Sequence, residues 1–286
     1  MRKWQIRQLQ ELASEIVLRL PETSPLRCAG EGGAELSLGI DRSIFPHVVR
    51  HFEWQLADQA AAMATLPAEG NWHLIDIGAN VGLFTRQMMA RFPAVASASC
   101  FEPAPDNLRH LRRNLAPLPA ADIHGFGLHA EEGTLTFYLD HGNAGNCSFN
   151  PAAVAGRPHS VVEVPIRRLD DELLDGLMRP EQKARRLIWK SDTQGLDELL
   201  MTQMSDDFWS RVDLVFFEGW RVEKPAWDRD RLAAIIAAFP HAYQKPRGGA
   251  VAEVEAAEII DYLGATDRRW SDFLLTRAPL AQAEAA

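Results

Sequence analysis

Residues 73–82 read His73-Leu-Ile-Asp-Ile-Gly-Ala-Asn-Val-Gly82, and this stretch decides the fold. Residues 73–77 form a short apolar run that closes on Asp76, Gly78 and Asn80, the pattern of a strand buried on both faces. Residues 84–92 follow with helical spacing and stop at Pro93. Gly78 and Gly82 allow a sharp turn and a close approach of backbone to a ligand. The helix that follows presents its first amides at the same place. The glycines are four apart, so this is not the GxGxxG dinucleotide fingerprint. Alone, the spacing suits an ordinary strand-to-helix turn as well as a ligand loop.

The pattern repeats outward from this unit. Residues 96–101 read as a second buried strand ending at Glu102 and Pro103, and residues 106–115 as a helix with Asp106 as N-cap. A third strand is expected over 123–128. Residues 133–139 and 161–166 alternate with period two, which predicts an antiparallel excursion. Strands follow over 187–190 and 212–217, a helix over 231–239, and two last strands over 242–245 and 273–276. Alternating strands and helices give an α/β fold, a doubly wound, mostly parallel sheet. Such sheets bind ligands at the carboxyl ends of their strands. On the N-terminal side, residues 1–20 and 45–66 have helical spacing around a Pro- and Gly-rich loop over 21–35. The expected organisation is an N-terminal helical extension over 1–70, a catalytic domain over 71–279 and a disordered Ala-rich tail over 280–286.

Composition narrows the class. The chain has 286 residues and a net charge of -9, which argues against nucleic acid as the main partner. Basic clusters at Arg109, Arg112 and Arg113, and at Arg185 and Arg186, read as solvated faces. No apolar run reaches the roughly 18 residues of a membrane span, and residues 1–20 lack the core of a signal peptide. Cys28, Cys100 and Cys147 form no CxxC pair, so a reducing cytoplasm is expected rather than a disulfide framework or a zinc site.

The second strand end gives the first loop its meaning. Glu102 lies 24 residues after Gly78 and can accept hydrogen bonds from both hydroxyls of a ribose. A nicotinamide enzyme places an acid similarly but adds a third glycine and a diphosphate cradle. S-adenosylmethionine has no phosphate, and its methionine end suits a loop with polar groups such as Asp76 and Asn80. Methyl-donor binding is therefore favoured over dinucleotide binding.

Taken in order, the residues of 74–82, Phe101-Glu-Pro103 with Asn107, Lys190-Ser-Asp-Thr-Gln-Gly195, Gly127 to Phe149 with Gly133 and Asn146-Cys147-Ser148, and Glu218 resemble the FkbM-type methyltransferases. The resemblance covers roughly residues 72–220. It implies a Rossmann-like class I methyltransferase fold, a seven-stranded sheet with an antiparallel last strand, and S-adenosylmethionine as methyl donor. It also implies O-methylation of a hydroxyl on a sugar, glycan or other small-molecule natural product. Donor contacts are implied at Asp76, Gly78, Asn80, Gly82, Glu102, Pro103 and Asn107, and around Gly127 and Leu128. Two positions depart from the family pattern: Ser191 stands for Ile or Val, and Asp197 for Glu. A polar Ser191 in a buried strand needs a partner.

Methyl transfer requires a positioned acceptor oxygen, a destination for its proton and exclusion of water. Asp192 and Glu218 follow neighbouring strands and face one crevice. Either can act as base, with one pKa raised by the other's charge. Alternatively the pair holds magnesium or another divalent metal, a placement similar to that in metal-dependent small-molecule O-methyltransferases. A helix N-cap for Asp192 and a salt bridge from Glu218 to Lys190 or Arg221 are the plain structural readings. His129 and His141 lie beyond strand ends and are further base candidates. Trp220 and Trp227 offer flat faces for an acceptor. An N-methyltransferase and a non-catalytic binding module are the rivals, and a homo-oligomer stays open.

Overall fold

The computed structural model describes residues 26–29, 35–39, 43, 44, 47, 48, 56–67, 69–246 and 249–280. The helix expected over 1–20, most of that over 45–55 and the tail beyond residue 280 lie outside the described residues. Within 45–66, the helix Leu56–Met63 is described.

The described residues form an eight-stranded sheet. Its order is Ala252–Glu253, His241–Pro246, Trp270–Thr276, Val212–Trp220, Arg186–Ser191, Trp72–Ile77, Val95–Phe101, Ala121–His124. The five strands from Ala121–His124 to Val212–Trp220 are parallel to their neighbours. Trp270–Thr276 runs antiparallel to both strands beside it. The expected seven strands with an antiparallel last one are all present, and the two-residue Ala252–Glu253 adds a short edge. This is the Rossmann-like class I arrangement. Its centre is apolar on both faces because residues of the inner strands alternate between layers. Trp189, Val215 and Phe217 pack into one, and Leu74, Ile188 and Leu214 into the other.

Three local expectations are corrected. The third strand ends at His124, and Gly127–His129 joins a separate three-stranded sheet with His159–Arg168 and Gly133–Asp140. The partner strand Val95–Phe101 ends there: the Glu102 amide donates to the His124 carbonyl, and no ladder remains to extend. Asp106 is not an N-cap. Pro105 takes the first helical position of Pro105–Leu115 and Ala104 is the N-cap, so Asp106 lies inside the helix and pairs with Arg109 in the exposed first turn. The loop over 21–35 contains the strand Leu26–Ala29, paired antiparallel with Glu35–Leu38, so the extension is not wholly helical. This pair docks on the helix Pro105–Leu115: the Asn114 amide donates to Ser37 O and Val81 O, and Asn114 Oδ1 accepts from Ser37 N. The antiparallel excursion is present, with Gly133–Asp140 against His159–Arg168. Among the described residues, no helix is long and apolar enough to cross a membrane.

Candidate active site: a glycine loop beside a row of carboxylates

The loop after the first core strand holds three residues in left-handed backbone conformation, Gly78 (φ 73°), Asn80 (φ 53°) and Gly82 (φ 82°). A Cβ on Gly78 would lie 2.1 Å from the Asp192 carbonyl oxygen, and one on Gly82 2.7 Å from Leu111 Cδ1. Both glycines therefore let other parts of the chain approach, and Gly82 contacts a packed helix rather than the crevice. Asp76 is fully buried beneath the loop, where Thr85 Oγ1 donates to it at 2.6 Å and Lys190 Nζ lies at 3.0 Å. Lys190 also donates to Gly78 O at 2.8 Å. Burial alone would lower the Lys190 pKa, but Asp76 and Asp192 outweigh it and hold the ammonium charged. Asp76 thus supports the loop from below and borders neither of the cavities beside it.

Glu102 is buried at the end of the second strand. Its Oε2 accepts from Asn80 N and its Oε1 from Ala104 N, both at 2.8 Å. Burial pushes its pKa up to about 7, against the pull of these amides. Beside it lies a slot of about 40 Å³, walled by Gly78, Asn80, Glu102, Pro103, Asn107, Gly127, Leu128, Phe126 and Phe149. The side-chain amides of Asn80 and Asn107 both donate to the Ala144 carbonyl at 3.2 Å, drawing the segment around Ala144–Asn146 across the slot. That segment is stapled by the residues singled out in sequence. Asn146 donates to Asp140 and to Ala153 O, and the Ser148 hydroxyl bonds the Thr193 and Gln194 carbonyls.

The slot opens through Gly78, Asn80 and Asp192 into a crevice of about 500 Å³. Across the crevice floor, strand register sets a row of charged groups. Glu218 opposes Asp272, and Asp272 opposes Lys245. Directly opposed residues share a face, so these three side chains project together, with Asp192 just beyond the adjacent strand. Gln194 Nε2 donates to Asp192 Oδ1 and to Glu218 Oε2, each at 2.5 Å, and Trp220 Nε1 donates to the same Glu218 oxygen. Burial first, then the charges of Asp192 and Asp272, pushes the Glu218 pKa well up, and a hydrogen bond with Asp192 adds to it. Burial and the charge of Asp192 raise Asp272 to about 7.

This placement sorts the expected residues. Asp192 and Glu218 do meet, and Asp192 is not an N-cap, since Leu196 caps the helix Asp197–Met201. Glu218 bonds Gln194 and Trp220, whereas Lys190 pairs with Asp76 and Arg221 with Asp267. A metal does not fit the pair. An amide N–H₂ stands between the two carboxylates, and among the described residues no group of three His, Cys, Asp or Glu is placed to hold a metal. Turnover is therefore expected to be unchanged by a chelator such as EDTA; loss of activity restored by magnesium would reverse this. His129 lies in the small sheet with its ring 6.3 Å from Phe149, outside the crevice lining, and His141 is exposed beside Ser160. Trp220 lines the crevice, while Trp227 packs between Lys224 and Arg229 outside it. Of the two departures from the family pattern, the buried Asp197 carboxylate is held by Thr193, whose amide and hydroxyl both donate to its Oδ2, while the buried Ser191 hydroxyl has no hydrogen-bond partner among the described residues. Asp272 was not expected. It lies near the start of Trp270–Thr276, which runs antiparallel to both strands beside it and so has its first residues at the carboxyl edge of the parallel strands; a search just after each strand passes it by.

No family model matches the chain. Among curated proteins, methyltransferase sdnD of Sordaria araneosa is 29% identical over 205 residues, 63% of this chain and 76% of that protein. Methyltransferase 1 of Beauveria bassiana (strain ARSEF 2860) is 26% identical over 162 residues, 51% of this chain and 63% of that protein, so the match spans less than two thirds of its length. Among solved structures, methyltransferase FkbM from Methylobacillus flagellatus KT aligns with TM-score 0.37 and 13% identity over 61% of this chain and 42% of that one. An rRNA methylase from Streptococcus thermophilus aligns with TM-score 0.38 and 9% identity over 78% and 95%. Neither superposition is close enough to bear on function. Sheet order, the glycine loop with Glu102 on the next strand, and the curated relatives define a methyltransferase of the Rossmann-like class.

Proposed function

We propose that the protein is an S-adenosylmethionine-dependent O-methyltransferase acting on a hydroxyl of a small-molecule natural product or glycan. The observation that carries the reading is Glu102. It is a buried carboxylate with two backbone donors and a wall on the slot that continues from the glycine loop. A carboxylate raised to about 7 by burial gains from further hydrogen-bond donors, and the two ribose hydroxyls of the donor supply them. Asn80, Asn107 and the glycine loop hold the rest of the nucleoside, and the crevice takes the methionine end. When bound, the donor supplies an electrophilic methyl group on a sulfonium. The chain's own task is to aim the acceptor oxygen, shed water and accept the hydroxyl proton on the Asp192–Glu218–Asp272 row.

The slot of about 40 Å³ is smaller than the roughly 150 Å³ cavity that takes a benzene ring. Adenine therefore displaces the segment around Ala144, breaking its bonds to Asn80 and Asn107. Calorimetry with S-adenosylmethionine tests the reading. Glu102→Ala is expected to lose about 1.5–3 kcal/mol of donor affinity, the worth of charge-assisted hydrogen bonds. Unchanged affinity in a folded variant removes Glu102 from the site.

The same carboxyl fixes a pH signature. Its pKa is raised in the fold, so the protonated form is favoured. The stability this gives is fully present below the ordinary glutamate pKa and is lost as pH rises through about 7. The ionised form is the stronger acceptor for ribose hydroxyls. Donor affinity is thus expected to increase between pH 6 and pH 8, and to lose that slope in Glu102→Gln. A flat wild-type profile would contradict this role.

A further inference from the structure

A second, apolar recess opens from the carboxylate row. Its place follows from strand register. One step toward the sheet centre from Glu218, Asp272 and Lys245 stand Phe216, Leu274 and Tyr243, with Phe216 opposite Leu274 and Leu274 opposite Tyr243. Residues two apart on a strand share a face, so an apolar row lies directly beneath the charged one. The helix Leu56–Met63 covers it with Gln59 and Ala61, Phe84 closes one side, and the Lys245–Asp58 ion pair borders it. The recess holds about 70 Å³ and shares Phe84, Lys190, Asp192, Glu218 and Asp272 with the large crevice.

We propose that this recess is the acceptor's specificity pocket, and that it takes a short branched alkyl group carried close to the hydroxyl that is methylated. This rests on the methyltransferase reading and narrows its acceptor. The shared wall is the carboxylate row, so a group seated in the recess leaves its neighbouring hydroxyl at the carboxylates, facing the crevice that continues to the glycine loop. The apolar floor disfavours a fully hydroxylated sugar ring, because each hydroxyl buried there without a partner costs free energy. Size favours a small group over a flat aromatic ring, since about 70 Å³ is half of the roughly 150 Å³ that admits benzene. A branch of about three carbons fits.

The test uses the full chain and two probes, 3-methylbutan-1-ol and methyl α-glucoside, with binding followed by ligand-observed NMR. Ala61→Phe and Val251→Trp narrow the recess from its exposed rim, where folding is least at risk. The branched alcohol is expected to bind the wild type and to bind at least tenfold more weakly to each folded variant, with S-adenosylmethionine affinity unchanged. The glucoside is expected to bind at least tenfold more weakly than the alcohol. No binding of the alcohol at 100-fold excess over protein, equal binding of the glucoside, or full alcohol binding in both variants would overturn the proposal. Absence of S-adenosylmethionine binding with alcohol binding retained would instead defeat the methyltransferase reading and leave the recess standing.

Discussion

Replacing Gly78 by valine is expected to unfold or severely destabilise the protein rather than merely block the donor. The reason lies between two strands. Asp192 N donates to Ile77 O at 3.0 Å, which draws the fourth-strand turn onto the first. The Gly78 Cα then sits so close to the Asp192 carbonyl that an added Cβ would be 2.1 Å from its oxygen. That atom belongs to backbone and cannot rotate away. Positive φ adds about 1–2 kcal/mol for any L side chain, and forced repacking typically adds about 1–3 kcal/mol. Together these amount to about 2–5 kcal/mol, a large fraction of the roughly 5–15 kcal/mol that holds a domain folded. Gly78→Ala already carries both problems, so its denaturation midpoint should fall well below wild type. An alanine variant of wild-type stability would show that the two loops do not meet as described. The same contact shows why donor affinity of a Gly78 variant is a poor measure of ligand contact: the residue acts on the fold first.

Much of the site was legible because chemistry and strand ends coincide in a parallel sheet. The alternation of short apolar runs with helical spacing placed Glu102, Asp192 and Glu218 at one edge, and the structure keeps them there. What was not legible depends on direction and depth. Asp76 has the same sequence credentials as Asn80, yet it points under the loop to Lys190 and Thr85; period-two reading cannot tell which side of a doubly covered strand holds a cation. Asp272 required knowing that Trp270–Thr276 is reversed, because only then does the start of a strand reach the ligand edge. His129 was placed by reading 123–128 as one strand. The break at Gly125 and Phe126 carries it into the small sheet. The departure at Asp197 is met by Thr193, whose amide and hydroxyl bond its carboxylate, a partner that sequence spacing alone did not name.

The row of carboxylates carries the strongest expectation for turnover. Burial and the charge of Asp192 raise both Glu218 and Asp272, and groups that interact this closely titrate as a unit rather than singly. A row that shares protons can take one from an acceptor hydroxyl as the oxygen–carbon bond forms and the carbon–sulfur bond breaks. With a true acceptor, Asp192→Asn, Glu218→Gln and Asp272→Asn should each lower kcat by about 10²–10⁴-fold, the usual worth of a positioned base. Donor affinity should fall less in Glu218→Gln and Asp272→Asn than in Glu102→Ala, since neither residue borders the slot beside Glu102 and both meet only the crevice that takes the methionine end. Groups that act together are not additive, so the Glu218→Gln/Asp272→Asn double variant should be scarcely slower than the worse single one. The pH profile gives the sign. Asp272 is raised to about 7, so the row gains basicity as pH rises through that value, and wild-type kcat should climb there. Removing Asp272 should move or erase that limb, an effect that a purely structural role would not produce. Strictly multiplicative losses with an unmoved pH limb would mean that the three carboxylates do not share the proton. Near-normal kcat in all three variants would mean that positioning alone carries the reaction.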